Sequence, residues 1–588
     1  MRSILLFVFA SAALGAAPDG AAVFESHCAS CHQTAAGSRV PTRAELASLT
    51  PEQVMTALLR GKMTIQGGAL STGEIRAVSL YVTGKSFSAV AIDPAAGRCA
   101  GNPKPFSPSA GDWNGWGVNT SNARYQANPG LTAADVPRLK LKWAFGFPDD
   151  TQAAAQPVIV GGRIFVGSNG GTVFSLDAST GCAYWSYDAG GIVRSAISIV
   201  RSPKSSRWIA YFGDYHAWAH AVDAETGQEI WKVQVDDHPA ARIVGSPTYY
   251  KGRLYVPVAS SEELNGGSPQ YECCTFRGSL SALDAETGKT IWKTYSISDP
   301  PKTYKTNSAG TKLYGPAGAG VWNSPTIDVK RKRVYVGTGN SYTGVSVPTS
   351  DSILAFDLET GSMLWAAQVT PGDNWMVGCP KNPNCPENPG EDTDFGSASV
   401  LRTVGGKQIL VATQKTGMVY GLDPDQRGKI LWKTRLGVGG AQGGILWGGA
   451  LDDRTIYAAV SDQNRGPQAS PGMYAVNIAT GEKLWSTPAP EGAGIKAQLS
   501  AVSAMPGIAF SGSWGGHLRA YSTKTGEIVW DFDAMRDFET VNHVAARGGS
   551  FDGGGPAIAD GMLISTCGYG FVGGKAGNVL LAFSVDGK

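Results

Sequence analysis

Leu283-Asp284-Ala285-Glu286-Thr287-Gly288-Lys289-Thr290-Ile291-Trp292 decides the fold of most of this chain, because its pattern recurs. The pattern is a small or apolar residue, Leu-Asp or an equivalent, Thr-Gly, then Trp three or four residues later. It returns as Leu176-Asp177 to Trp185, Val222-Asp223 to Trp231, Phe356-Asp357 to Trp365, Leu422-Asp423 to Trp432, Val476-Asn477 to Trp485 and Tyr521-Ser522 to Trp530. An eighth copy is split. Val579-Leu580-Leu581-Ala582-Phe583 at the C-terminal end supplies its inner part, and Leu141-Lys142-Trp143 supplies its Trp strand.

Periods of roughly 40–50 residues with several strands each indicate a propeller or an array. The split copy decides between them. An open array has no use for half a repeat at each end, whereas a ring closed by shared strands removes its exposed edges. In each blade Thr-Gly makes the hairpin turn and Trp packs between neighbouring blades. Three intervals are long, from Trp231 to Trp292, Trp292 to Trp365 and Trp365 to Trp432. Insertions on adjacent blades build one face, and the active site is expected there.

The composition agrees: 77 Gly and 16 Trp among 588 residues suit short strands and tight turns. With 50 basic against 48 acidic residues, nothing points to a nucleic-acid partner or an acidic membrane surface. Residues 1–17 read as a secretory signal, with Arg2, the apolar run Ile4 to Leu14, and Ala13-Leu14-Gly15-Ala16-Ala17 as the cleavage region. That run falls well short of the roughly 20 apolar residues a membrane span needs. A periplasmic or secreted location without a membrane span is expected.

Cys28-Ala29-Ser30-Cys31-His32 has the spacing of c-type haem attachment. The thiols form thioethers and the adjacent imidazole becomes an axial ligand. A zinc site would need two further ligands, and this region offers only His27. For the second axial ligand Met63, just past an amphipathic helix, is preferred over Met55 within it. Residues 18–84 resemble a small cytochrome c, all-α, followed by a Pro/Ala/Gly-rich linker over 85–110 and the all-β eight-bladed propeller over 111–588. Of the nine cysteines, Cys28 and Cys31 go to haem, Cys273-Cys274 are adjacent, and Cys379 and Cys385 close a short loop. Among Cys99, Cys182 and Cys567 the preferred pair is Cys99 with Cys182.

The repeat resembles the tryptophan-docking motif of the quinoprotein dehydrogenases, eight-bladed propellers that carry pyrroloquinoline quinone (PQQ). Non-catalytic scaffold propellers of the bacterial outer membrane share the repeat, so function rests on the site. Adjacent cysteines can form a vicinal disulfide, which in the family packs on one face of PQQ; here Cys273-Cys274 sits late in the third blade. The other face rests on a Trp, and Trp322 with Asn340 resembles the family's stacking Trp and calcium-binding Asn. Glu263 is preferred over Glu262 and Glu272 as the carboxylate ligand of Ca²⁺. The family's Thr-Pro-x-Asp-x-Trp-Asp-Phe begins at Thr370-Pro371-Gly372-Asp373-Asn374-Trp375 and is then interrupted. A disulfide-closed insertion leaves Asp394-Phe395 to serve, with Asp394 as base and metal neighbour; Asp373 and Asp392 are the alternatives. Lys415 looks like the cation beside the quinone oxygens. Arg194 and Arg277 are candidates for the PQQ carboxylates.

Cys273-Cys274-Thr275-Phe276-Arg277-Gly278, Asp394-Phe395-Gly396, Gln414-Lys415 and Gly443-Gly444-Ile445-Leu446-Trp447-Gly448 look closest to the polyvinyl alcohol dehydrogenases, which also place a cytochrome c domain first. The resemblance implies an exported alcohol dehydrogenase using PQQ, Ca²⁺ and haem c. Its partners would be a secondary or polymeric alcohol and an external electron acceptor, such as a soluble cytochrome c or another periplasmic carrier. The alternatives are a sugar or aldehyde dehydrogenase on the same scaffold, and a non-catalytic haem-tethered propeller that binds a partner or polysaccharide.

Overall fold

The computed structural model describes residues 18–33, 40–60, 63–67, 70, 72–85, 97–101, 103–463, 465–492 and 494–588. The expected signal at 1–17 and residues 86–96 of the expected linker lie outside them. The chain forms two compact units, Met1–Val90 and Ala91–Lys588.

The first unit is helical. Gly20–His27, opened by the Asp19 carboxylate on the Ala21 N–H at 2.9 Å, crosses the helix Thr72–Thr83. Gly20 permits this approach, since a β-carbon there would lie 2.2 Å from the Ala77 carbonyl oxygen. Phe24, Val54, Leu58, Ile75, Val78 and Val82 form the core.

The second unit is the expected propeller. Seven antiparallel sheets of four strands and one of five make the blades; in the five-stranded sheet Ala241–Arg242 and Thr248–Tyr250 both pair with Arg253–Ser260. Blade 1 runs Val158–Val160, Arg163–Val166, Thr172–Asp177 and Ala183–Asp188. Its inner strands are buried on both faces and read as apolar runs, while the outermost alternates buried with exposed. The ring closes as the split repeat requires: Leu139–Gly146 pairs antiparallel with Val579–Val585, making the N-terminal strand the outer strand of blade 8.

Trp143, Trp185, Trp231, Trp292, Trp432 and Trp485 each pack on the Thr-Gly turn of the next blade, and Trp365 packs on the Arg427-Gly428 turn. Gly288 has φ +71°, and a β-carbon there would meet the Trp231 ring at 2.9 Å, so this position needs glycine twice over. The indole N–H of Trp143, Trp185, Trp231, Trp432, Trp485 and Trp530 donates to a carbonyl of the adjoining blade at 2.9–3.1 Å. Among the described residues the indole nitrogens of Trp292 and Trp365 have no partner.

Two features were not read from the sequence. Residues 97–101 and 103–110, expected as linker, are fixed to the propeller: the expected disulfide of Cys99 with Cys182 is present, Lys104 pairs with Asp177 at 2.8 Å, and Phe106 packs on Phe165 and Trp208. A cross-link and an aromatic anchor override the flexible composition. Trp113 to Gln126 then hydrogen-bonds in turn to the innermost strands of blades 1, 2, 4, 5, 6 and 7, through Ile159, Ile199, Ile327, Leu401, Leu451 and Ala504.

The three long intervals form one layer of loops. Cys273 and Cys274 exchange backbone hydrogen bonds with Tyr314 on the hairpin Lys302–Thr306/Lys312–Gly315, and Asn307 binds Asn384 in the third insertion at 2.6 Å. The Cys379–Cys385 disulfide closes that insertion.

Candidate active site and haem pocket

In the first unit Cys28, Cys31 and His32 lie where the first helix continues into Ala29–His32, and both thiols are free of disulfides. His32 is buried, and its Nδ1 lies 2.6 Å from the Pro41 carbonyl. The carbonyl can only accept, so Nδ1 carries a proton and Nε2 is the ring nitrogen left to ligate a metal. Cys28, His32 and Met63 line one apolar cavity with Phe24, Leu58 and Val82. Met55 packs against the helical core instead. One thiol, an imidazole and a thioether line this apolar slot, and the exposed Cys31 precedes His32 in the chain; this donor set fits covalently bound haem.

In the propeller the chemistry-bearing side chains come from connections that enter the innermost strands and from those that leave the second strands. Trp322 precedes the inner strand of blade 4 (Thr326–Asp328), and Asn340 follows its second strand (Arg333–Gly337). Asp394 precedes blade 5 (from Val400), and Lys415 follows its second strand (Lys407–Thr413). These four meet. Asp394 Oδ1 accepts the Asn340 N–H at 2.7 Å, and Oδ2 lies 2.9 Å from Lys415 Nζ. Lys415 Nζ is 5.3 Å from the Trp322 ring centroid and bonds Asp392 Oδ1 at 2.6 Å on its other side. Gly396 lies against the indole, since a β-carbon there would be 2.0 Å from Trp322 Cη2. This explains Asp-Phe-Gly as a local sequence. Burial alone would depress the Lys415 ammonium, but Asp392, Asp394 and Glu263 more than reverse that, so it stays charged.

The interrupted motif is rejoined in space. Asp373 Oδ2 accepts both the N–H and the hydroxyl of Thr393 at 2.6 Å, and the Asn340 side-chain amide donates to the Trp375 carbonyl at 2.6 Å. Asp373 thus fastens the ends of the insertion, and Asp392 holds the far side of Lys415. Of the three aspartates, Asp394 is the one that flanks Gly339 together with Trp322 Nε1.

The glutamates also separate. Glu262 is buried and takes the N–H groups of Thr275 and Phe276, each at 2.8 Å. Glu272 is exposed and bonds Tyr314. Glu263 is pushed up to about 7, first by burial, then by the charge of Asp394, with Lys415 and Arg242 opposing. A carboxylate whose proton affinity is raised by burial and by a neighbouring carboxylate is a donor that a divalent cation relieves. Among the described residues no group of three or more His, Cys, Asp or Glu side chains converges to hold a metal.

Trp447 meets Trp322 edge to face, centroids 5.1 Å apart at 86°. Arg194 lies 4.3 Å from the Trp447 ring and 3.3 Å from Asp552. Arg242, absent from the sequence candidates, lies 4.8 Å from the Tyr215 ring. The Nε of both arginines is buried without a hydrogen-bond partner among the described residues. Buried cationic donors left unpaired are costly, and an anionic, carboxylate-bearing ligand is what they fit. Arg242 precedes the inner strand of blade 3 much as Arg194 precedes that of blade 2; superposing the repeats on one another is the signal that would have found it.

Two of the expected cofactor contacts, Arg277 and the Cys273-Cys274 pair, have other neighbours in the structure. Arg277 donates to the Ile297 and Ser298 carbonyls and covers the Tyr295 ring at 3.9 Å, so its guanidinium is used at the blade 3 hairpin. Cys273 and Cys274 are disulfide-bonded, yet both are buried in one apolar cluster with Leu313, Ala317 and Met376, and Cys273 Sγ lies 3.6 Å from Met376 Sδ.

Sequence comparisons agree with the two-part reading. The family profile described as cytochrome C oxidase, cbb3-type, subunit III matches residues 15–82. The beta-propeller domain of glucose/ethanol/alcohol dehydrogenases matches 265–435, and the outer membrane protein assembly factor BamB family matches 129–307 and 470–588. The crystal structure of the quinohemoprotein alcohol dehydrogenase of Comamonas testosteroni shares the fold, with TM-score 0.58 and 20% identity over 81% of each chain. A polyvinylalcohol dehydrogenase of a Pseudomonas species is 41% identical, covering 99% of this chain and 97% of its own. One from Sphingopyxis sp. (strain 113P3) is 38% identical, covering 97% of this chain and 93% of its own. With that similarity over both units, the chain belongs to the family of the polyvinylalcohol dehydrogenases.

Proposed function

We propose that this chain is an exported, PQQ- and Ca²⁺-dependent alcohol dehydrogenase that oxidises secondary hydroxyls, polyvinyl alcohol among them, and passes the electrons to its own c-type haem. A soluble cytochrome c or another periplasmic carrier then collects them. The names of the full-length relatives support the substrate class, and the haem-attachment motif supports the internal acceptor. Among the described residues no helix is long and apolar enough to cross a membrane.

In this reading Trp322 carries one face of the quinone, and Arg194 and Arg242 take its carboxylates. Glu263, Asp394 and the Asn340 amide oxygen hold the cation, leaving the rest of its six to eight oxygens to come from outside the chain. Cys28 and Cys31 would hold the haem covalently, with His32 and Met63 as ligands to its iron. When bound, PQQ would supply a hydride acceptor, Ca²⁺ a Lewis acid beside it, and haem a one-electron acceptor. Asp394 is the base. The Asn340 N–H fixes Oδ1, so Oδ2, shared with Lys415 Nζ, takes the hydroxyl proton. Lys415 stabilises negative charge that develops beside it.

The observation that carries this reading is Asp394 held between the Asn340 N–H and Lys415 Nζ beside Trp322. The test is carbonyl formation by purified protein loaded with PQQ and Ca²⁺, with a dye acceptor present. Products from polyvinyl alcohol and simple secondary alcohols support it. Turnover of aldehydes or sugars alone moves the assignment to those substrates, and no turnover of any overturns it.

A further inference from the structure

We propose that Asp552 is a positioning residue of the quinone site, acting through Trp447 and Arg194; this rests on the PQQ reading above. Asp552 lies in the connection that enters blade 8 (inner strand Ala557–Ala559) and is 3% exposed. A lone carboxylate is not stable at such a depth without donors. It has three, each from a different blade connection. Oδ1 accepts the Trp447 indole N–H at 2.7 Å and lies 3.3 Å from Arg194 Nη2, and Oδ2 accepts the Trp514 indole N–H at 2.7 Å.

Two of those donors bear on the proposed quinone seat. The Trp447 bond fixes the rotation of the ring that stands edge-on to Trp322. Arg194 is held between the Trp447 and Tyr569 rings, at 4.3 and 5.1 Å, with its Nε unpaired. The neighbour Gly553 has φ +69°, and a β-carbon there would lie 2.7 Å from Arg194 Nη2, so the backbone is shaped to admit the guanidinium. Asp552 therefore sets both the tilt of the indole against Trp322 and the place of the cation before any ligand arrives, which is preorganisation of a binding site. An amide cannot substitute. Asparagine offers one acceptor oxygen, and its NH₂ opposes an indole N–H or the guanidinium.

The test is calorimetric titration with PQQ of the haem-containing protein stripped of quinone. Asp552→Asn is expected to bind PQQ about tenfold to a hundredfold more weakly, the effect of losing a charge-assisted bond. Trp514→Phe, which leaves the Trp447 and Arg194 bonds intact, is expected to melt earlier yet bind PQQ within about twofold of wild type. Equal weakening in both variants shows a merely structural role and overturns the inference, as does wild-type affinity in Asp552→Asn. If Asp552→Asn does not fold, Trp447→Phe decides: weaker PQQ binding supports the inference and unchanged binding overturns it. A wild-type chain that binds no PQQ overturns the functional reading as well.

Discussion

Lys415 Nζ lies 2.9 Å from Asp394 Oδ2 and 2.6 Å from Asp392 Oδ1, so one buried ammonium joins two buried carboxylates from the same loop. Lys415→Met leaves both acids without their cation. Breaking a buried charge network by removing one partner costs about 3 kcal/mol or more. Chemical denaturation of this variant is expected to show that loss, and dye-linked turnover to fall at least about a hundredfold. A variant as stable and active as wild type would show that Lys415 serves neither purpose.

Glu262 and Glu263 are neighbours with different surroundings, and substitution separates them. Glu263→Gln is expected to raise the Ca²⁺ concentration needed for reconstitution by about tenfold, since one charged ligand is lost. Glu262→Gln leaves one acceptor oxygen where the Thr275 and Phe276 N–H groups use two, and is expected to lower the melting temperature with Ca²⁺ demand unchanged. The opposite pattern would exchange their roles.

Met63 shares the haem cavity with His32 and Met55 does not. Met63→His replaces thioether by imidazole and is expected to lower the haem reduction potential in a redox titration, because Met/His ligation raises it. Met55→Leu is expected to leave the potential in place. A potential that follows Met55 instead would move the ligand there.

His220 is fully buried, with Nε2 3.0 Å from Asp214 Oδ2. Burial pushes its imidazole below the ordinary range, Asp214 opposing. The unfolded chain therefore binds this proton more readily than the folded one. The corresponding stability is complete above the unfolded value, about 6.5, and is lost as pH falls through the depressed folded value. Melting temperatures measured from about pH 8 to 5 are expected to fall less steeply for His220→Gln than for wild type. Identical slopes would contradict this.

The fold was legible because Thr-Gly and Trp are needed once per blade, and the half-repeats at either end leave only a closed ring. Lys415, Asp394, Asn340 and Trp322 were legible because each stands in a short motif resembling a family pattern. Arg242 and Asp552 were not, since a single charge in a connection carries no periodic signal; only the ring brings blades 2, 6, 7 and 8 to one carboxylate. Cys273-Cys274 shows a different limit. Adjacency in sequence specifies the bond but not the apolar cluster with Leu313, Ala317 and Met376 in which it is buried. The strap from Trp113 to Gln126 is held by main-chain hydrogen bonds, which the side-chain pattern does not reveal.

The most direct test of the account is rapid mixing of a secondary alcohol with protein carrying PQQ, Ca²⁺ and oxidised haem, following the haem absorption band in wild type and in Asp394→Asn. The account predicts prompt haem reduction in wild type. In the variant it predicts reduction slower by about a hundredfold to ten-thousandfold, the usual contribution of a general base, while dithionite still reduces the haem fully. Reduction by alcohol at the wild-type rate in Asp394→Asn would contradict it.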